Sequence, residues 1–280
     1  MSNEAETAVQ TYAETTMPNP HLPVELLDHI IDHLHDTEDA LRNCCLVSKP
    51  WIPQSRKHLF AHVLFGSEDD LESWRGIFPD PSTSPGHYTK TLTIQCPHAI
   101  TAADAEVGGW IRGFSHVVHL WMGSQRPYEY GSEIFPAVLQ ALSPVVKSLN
   151  IDCLFLSSSR TFDLILSFPL LEDLSLTNYC CASIDEDDDS DELPIAAEPS
   201  NLPVFTGSFK IVTVGLVPLA RQLLSLPGGI HFRKFTLTWE YGGDISLIAA
   251  LVEGCSHTLE SLDIGCNPFG ASIWYLRPYR

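Results

Sequence analysis

The residues best equipped for chemistry stand in one short run. His29, His33 and His35 alternate with Asp28, Asp32 and Asp36, and a spacing of four would place His29 and His33 on one helix face, as a divalent metal requires. The glutamate that serves as general base in H-E-x-x-H sites is missing, and all six residues fall opposite the apolar side of the same segment. The pattern therefore predicts a solvated polar face and no metal. Eight cysteines, at 44, 45, 96, 153, 180, 181, 255 and 266, include two adjacent pairs but no C-x-x-C, which reads as reduced, buried thiols. The acidic run D-E-D-D-D-S-D-E over 185–192 lacks the central glycine and spaced ligands of a calcium loop. Neither G-x-S-x-G nor a glycine-rich phosphate loop occurs, and Gly108-Gly109, Gly228-Gly229 and Gly242-Gly243 read as turn punctuation. No catalytic residue, metal or cofactor is expected, so the chain is not read as an enzyme.

The composition points the same way. The 280 residues carry 16 Lys+Arg against 35 Asp+Glu, a formal charge of −19, which disfavours nucleic acid and anionic membrane as partners because both repel an acidic surface. At 44% hydrophobic residues there is ample material for a core. No apolar run approaches the roughly 18 residues that cross a bilayer. The first 20 residues are polar, without the basic and apolar regions of a signal peptide. The expected location is cytoplasmic, nuclear or both.

Three kinds of segment would position any functional residue. Residues 1–19 are polar and acidic, with nothing to bury, and read as a disordered lead-in. Residues 20–61 hold three short helices. The first opens at Pro23 with Glu25 in its first turn and carries Leu26, Ile30 and Leu34 as an apolar stripe, widened by Leu27 and Ile31. The second is expected to start after Asp36 or Thr37 and to turn Leu41, Cys44, Cys45 and Val47 inward. The third takes Ser48 as cap and Pro50 in its first turn, and carries Trp51, Ile52, Leu59 and Phe60.

From residue 62 to 280 short β-like runs alternate with helical ones. Aligning the first inward apolar residue of each run gives Val63, Leu92, Leu120, Leu149, Leu174, Phe209, Phe235 and Leu262, with steps of 29, 28, 29, 25, 35, 26 and 27. A near-constant step with a shared L-x-L/I core is a solenoid signature, close to the roughly 20 to 29 residues of leucine-rich repeats. The long step contains the acidic run, read as a solvated loop over 183–200. Segments such as SEIFPAVLQALS, RTFDLILSFP, LARQLLSL and ISLIAALVEGC read as the helical returns.

The stretch from Leu22 to about Phe65 resembles the F-box family, through Leu22-Pro23 opening a helix, Glu25-Leu26-Leu27, Ile30, Leu34, Leu41, Leu46-Val47-Ser48-Lys49, Trp51 and Leu59-Phe60. It is most similar to fungal F-box proteins in which an irregular leucine-rich-repeat-like region follows directly. The resemblance implies a mixed α and α/β architecture, a three-helix F-box followed by a right-handed α/β solenoid. It also implies a substrate-recognition subunit of an SCF-type ubiquitin ligase, docking on a Skp-type adaptor and through it on a cullin, with the repeats binding a protein substrate. The docking role carries over to Leu22, Pro23, Leu26, Ile30, Leu34, Val47 and Trp51. The alternative is a non-catalytic interaction scaffold outside ubiquitin ligation.

Period-2 alternation supplies a second set of positions. With Leu120 and Met122 inward, His119 and Trp121 point outward, and the same register exposes Asn150, Asp152, Ser175, Thr236 and Asp263. These residues are expected to pave a sheet face that binds substrate, with Trp121 either its aromatic anchor or a residue packed under a neighbouring loop.

Overall fold

A computed structural model describes residues 22–96, 99–100, 104, 109–123, 142, 145–152, 158–180, 203–214, 217–239 and 245–266. The lead-in 1–19, the acidic loop 183–200 and most of the helical return expected over 132–143 lie outside the described residues. The chain divides into two compact units, Met1–Ser55 and Arg56–Arg280.

The first unit contains α1 (Val24–Asp32), α2 (Glu38–Val47), a 3-10 turn at Lys49–Trp51 and the start of α3 (Ile52–Leu59). Pro23 stands at the cap position just before α1, where its missing N–H costs nothing. Ser48 is extended and Pro50 sits in the 3-10 turn, so the α-helix begins at Ile52, three residues after the Lys49 start that a Ser48 cap implies. Two expectations need correcting. The stripe that α1 buries is Leu27 and Ile31, whereas Leu26 and Ile30 are exposed and Leu34 lies beyond the helix end, half-buried. In α2 only Leu41 and Cys44 are buried; Cys45 is half-buried and Val47 exposed. Adjacent residues on a helix are about 100° apart, so an apolar arc of this width can bury either edge.

The second unit is built on eight parallel strands in strict sequence order: β1 (His62–Phe65), β2 (Thr91–Ile94), β3 (His119–Gly123), β4 (Ser148–Asp152), β5 (Asp173–Cys180), β6 (Ser208–Val214), β7 (Lys234–Trp239) and β8 (Ser261–Cys266). The register joins Val63, Leu92, Leu120, Leu149, Leu174, Phe209, Phe235 and Leu262, each paired with the next. This is the series that the spacing picks out. A second inward row runs Phe65, Ile94, Met122, Ile151, Leu176, Ile211 and Leu237, all buried. Helices α4 (Glu68–Ile77), α5 (Ser158–Leu166), α6 (Val217–Leu224) and α7 (Ile245–Gly254) add Leu71, Trp74, Phe162, Ile165, Leu219, Leu223, Ile248 and Leu251 to the same core. That face of the sheet is therefore the helix-covered one. Only β8 departs, with its inward positions Leu262 and Ile264 at 45% and 47% exposure.

Two local devices fix the first repeats. Ser67 caps α4: its Oγ accepts the Asp70 N–H at 3.3 Å while Asp70 Oδ2 accepts the Ser67 and Gly66 N–H groups at 3.0 and 2.9 Å, a reciprocal capping box. On the buried side Phe65, Trp74, Trp110 and Phe114 form a knot of rings with centroids 5.2 to 5.9 Å apart. Arg75 closes this knot, donating through Nε to Asp104 Oδ1 at 2.9 Å and through Nη2 to Asp104 Oδ2 at 2.6 Å and to the Ala99 carbonyl at 2.8 Å. Trp110 Nε1 donates to the same carboxylate at 2.5 Å.

Candidate functional site

Each unit presents one candidate surface. In the first, six large apolar side chains remain exposed: Leu22 at 55%, Val24 at 52%, Leu26 at 50%, Ile30 at 45%, Leu46 at 85% and Val47 at 63%. Leu26 and Ile30, four residues apart, share one face of α1, Leu22 lies just before its cap residue Pro23, and Leu46-Val47 end α2. Exposed apolar residues at this density make this unit a candidate interaction surface. Of the seven residues assigned to adaptor docking, Leu22, Pro23, Leu26, Ile30 and Val47 are exposed, whereas Leu34 and Trp51 are half-buried. Val24 and Leu46, also exposed, are not among the seven; Leu46 stands in the Leu46-Val47-Ser48-Lys49 stretch that carries the resemblance.

The polar residues around α1, the turn after it and the start of α2 make contacts with one another. Gln54 of α3 donates to Asp32 Oδ1, His35 lies 3.1 Å from the Asp36 carboxylate, and Arg42 pairs with Glu38 at 2.5 Å. The Nε2 atoms of His29 and His33 lie 3.4 Å apart with their rings edge to face. Among the described residues no three His, Cys, Asp or Glu side chains converge as a metal site would need.

In the second unit the face away from the helices carries three polar rows. The central one runs Leu64, Thr93, Trp121, Asn150, Ser175, Lys210, Thr236 and Asp263 along consecutive paired positions. Five of the seven residues assigned to substrate binding therefore fall on a single line; His119 lies in one flanking row and Asp152 in the other. His119 and Asp263 are exposed, while Trp121, Asn150, Asp152, Ser175 and Thr236 are half-buried. In the row of His119, Asp173 is spent internally: its Oδ1 accepts the Ser208 N–H at 2.5 Å and the Ser208 hydroxyl at 2.7 Å. Leu64, 59% exposed, and Lys210 also belong to the central row. Alternation between Phe209 and Ile211 would have found Lys210.

Cys44, Cys96 and Cys255 are buried and free, and Cys45 is free and half-buried. Burial, with the Asp70 and Glu68 carboxylates adding to it, pushes the Cys96 thiol up to about 11, and burial raises Cys255 as well. A reactive cysteine needs the opposite shift.

No protein-family model matches the chain, and no curated protein matches it. No described helix is long and apolar enough to cross a membrane.

Proposed function

We propose that this protein is the substrate receptor of an SCF-type ubiquitin ligase, with an N-terminal F-box that docks on a Skp-type adaptor and a leucine-rich-repeat-like sheet that holds a protein substrate. The observation that carries the reading is the division of labour in α1. Leu27 and Ile31 are buried within the protein, while Leu22, Leu26 and Ile30, at positions where the resemblance puts adaptor contacts, are left exposed. A folded module that leaves these residues in water has them free for a partner. The protein itself does no chemistry in this reading. It raises the effective concentration of substrate lysines beside a charged ubiquitin-conjugating enzyme.

The exposure makes the test clean, because interface and core substitutions separate. Burying a Leu or Ile contributes roughly 1.5 to 3 kcal/mol, so Leu26→Asp should lower adaptor affinity by at least about tenfold while leaving the circular dichroism of the chain unchanged. The double change Leu22→Asp, Pro23→Ala should abolish co-purification with the adaptor. If the folded wild-type chain shows no adaptor binding at micromolar concentration, the ligase reading fails and the non-catalytic scaffold takes its place.

A further inference from the structure

Trp121 owes its position to a missing side chain. Trp121 and Gly123 are both outward residues of β3, and a Cβ built on Gly123 would stand 2.5 Å from Cη2, 2.8 Å from Cζ3 and 3.2 Å from Cζ2 of the indole. The ring is folded along its own strand into space that any other residue would fill, and it covers the Gly123 backbone, which is buried. The indole itself stays half-exposed. Its neighbour on β4 is Asn150, whose Oδ1 is closed off from solvent and has no hydrogen-bond partner. Two residues on, Asp152 pairs with Gly123 and brings a carboxylate, itself engaged in a further interaction, to the level of the ring.

An aromatic surface, an acceptor without a donor and negative charge within two strands are what a cation with N–H donors matches. We propose that the sheet face across β3 and β4 is a docking site for an arginine or lysine side chain of a partner protein, packed on the Trp121 indole beside Asn150. Charge complementarity favours that occupant over an acidic one, since a chain of net charge −19 attracts basic segments at long range. Lys210 and Lys234 share the face but stand on β6 and β7. Lys210 is three strands from Trp121, about 14 Å at the usual strand spacing of about 4.8 Å, which exceeds the roughly 8 to 10 Å over which exposed charges act in physiological salt.

The inference rests on the reading that the repeat sheet receives a protein. Its test reads the sheet alone, whereas adaptor docking is read from the N-terminal unit, so either can fail without the other. The isotope-labelled full chain is titrated with Nα-acetylarginine amide and with Nα-acetylcitrulline amide, which keeps the shape but replaces guanidinium by neutral urea. The indole resonance of Trp121, assigned with Trp121→Phe, should shift saturably with the arginine probe and respond at least tenfold more weakly to citrulline. Gly123→Ala, which drives the indole off its seat, should weaken arginine binding at least fivefold. Equal responses to the two probes, shifts spread evenly over the six tryptophans, or an unmoved Trp121 resonance up to about 50 mM probe, beyond any useful single-residue affinity, would overturn the proposal. Should Gly123→Ala fail to fold, the arginine and citrulline comparison on the wild-type chain decides alone.

Discussion

Replacing Arg75 by methionine tests whether the first repeats are held by one ion pair. The Asp104 side chain is 8% exposed and that of Arg75 29%, and the two make a bidentate contact at 2.9 and 2.6 Å. The guanidinium also satisfies the Ala99 carbonyl and lies 5.9 Å from the Trp110 ring centroid. Methionine keeps the packing volume of the stem and removes all three N–H bonds. Breaking a buried pair by deleting one partner costs roughly 3 to 5 kcal/mol, because the remaining charge stays desolvated. The lower end applies here, since Trp110 Nε1 still donates to Asp104 and the arginine side admits some water. A loss of about 3 kcal/mol in a unit of this size lowers the melting temperature by about 6 to 12 °C. The decisive measurement is the double variant in urea unfolding followed by circular dichroism. Asp104→Asn should recover part of the stability lost in Arg75→Met, because it removes the stranded charge. A cost below about 1 kcal/mol for Arg75→Met, or a double variant less stable than Arg75→Met alone, would refute the argument.

Two further outcomes follow from local geometry. Ser67→Ala removes the acceptor for the Asp70 N–H and should cost about 1 kcal/mol in the same unfolding assay. Cys96, with its thiol pushed up to about 11, should be alkylated at pH 8 more than about a hundredfold more slowly than in the unfolded chain. Because its folded value is raised, its contribution to stability is complete below its ordinary value of 9.0 and is lost as pH rises through about 11.

The strand register was legible because alternation has a period of two and one slip would turn every inward residue outward. Val63 through Leu262 could be aligned without any knowledge of the helices, and the outward residues then fell into rows. The α1 stripe was less legible. Leu26 and Leu27, like Ile30 and Ile31, are adjacent apolar residues, and nothing in their own segment says which of each pair the folded module covers. The site on β3 was half legible: Trp121 was expected outward, but the seat supplied by Gly123 two residues on belongs to three dimensions. The pairing of Arg75 with Asp104, 29 positions apart, leaves no periodic trace at all.

Strict sequence order in the sheet has a consequence for synthesis. Each strand pairs on its earlier side with the one made just before it, 25 to 35 residues back, so a chain leaving the ribosome need never wait for a distant segment. At about 5 to 20 residues per second, a new repeat takes one to several seconds to emerge, far longer than a local docking step needs. Throughout that time the nascent protein offers, besides the outer edge of β1, one growing strand edge, the kind of hazard that draws chains into aggregates. That edge moves forward one strand at a time, and among the described strands the last to carry it is β8, beside Leu262 and Ile264.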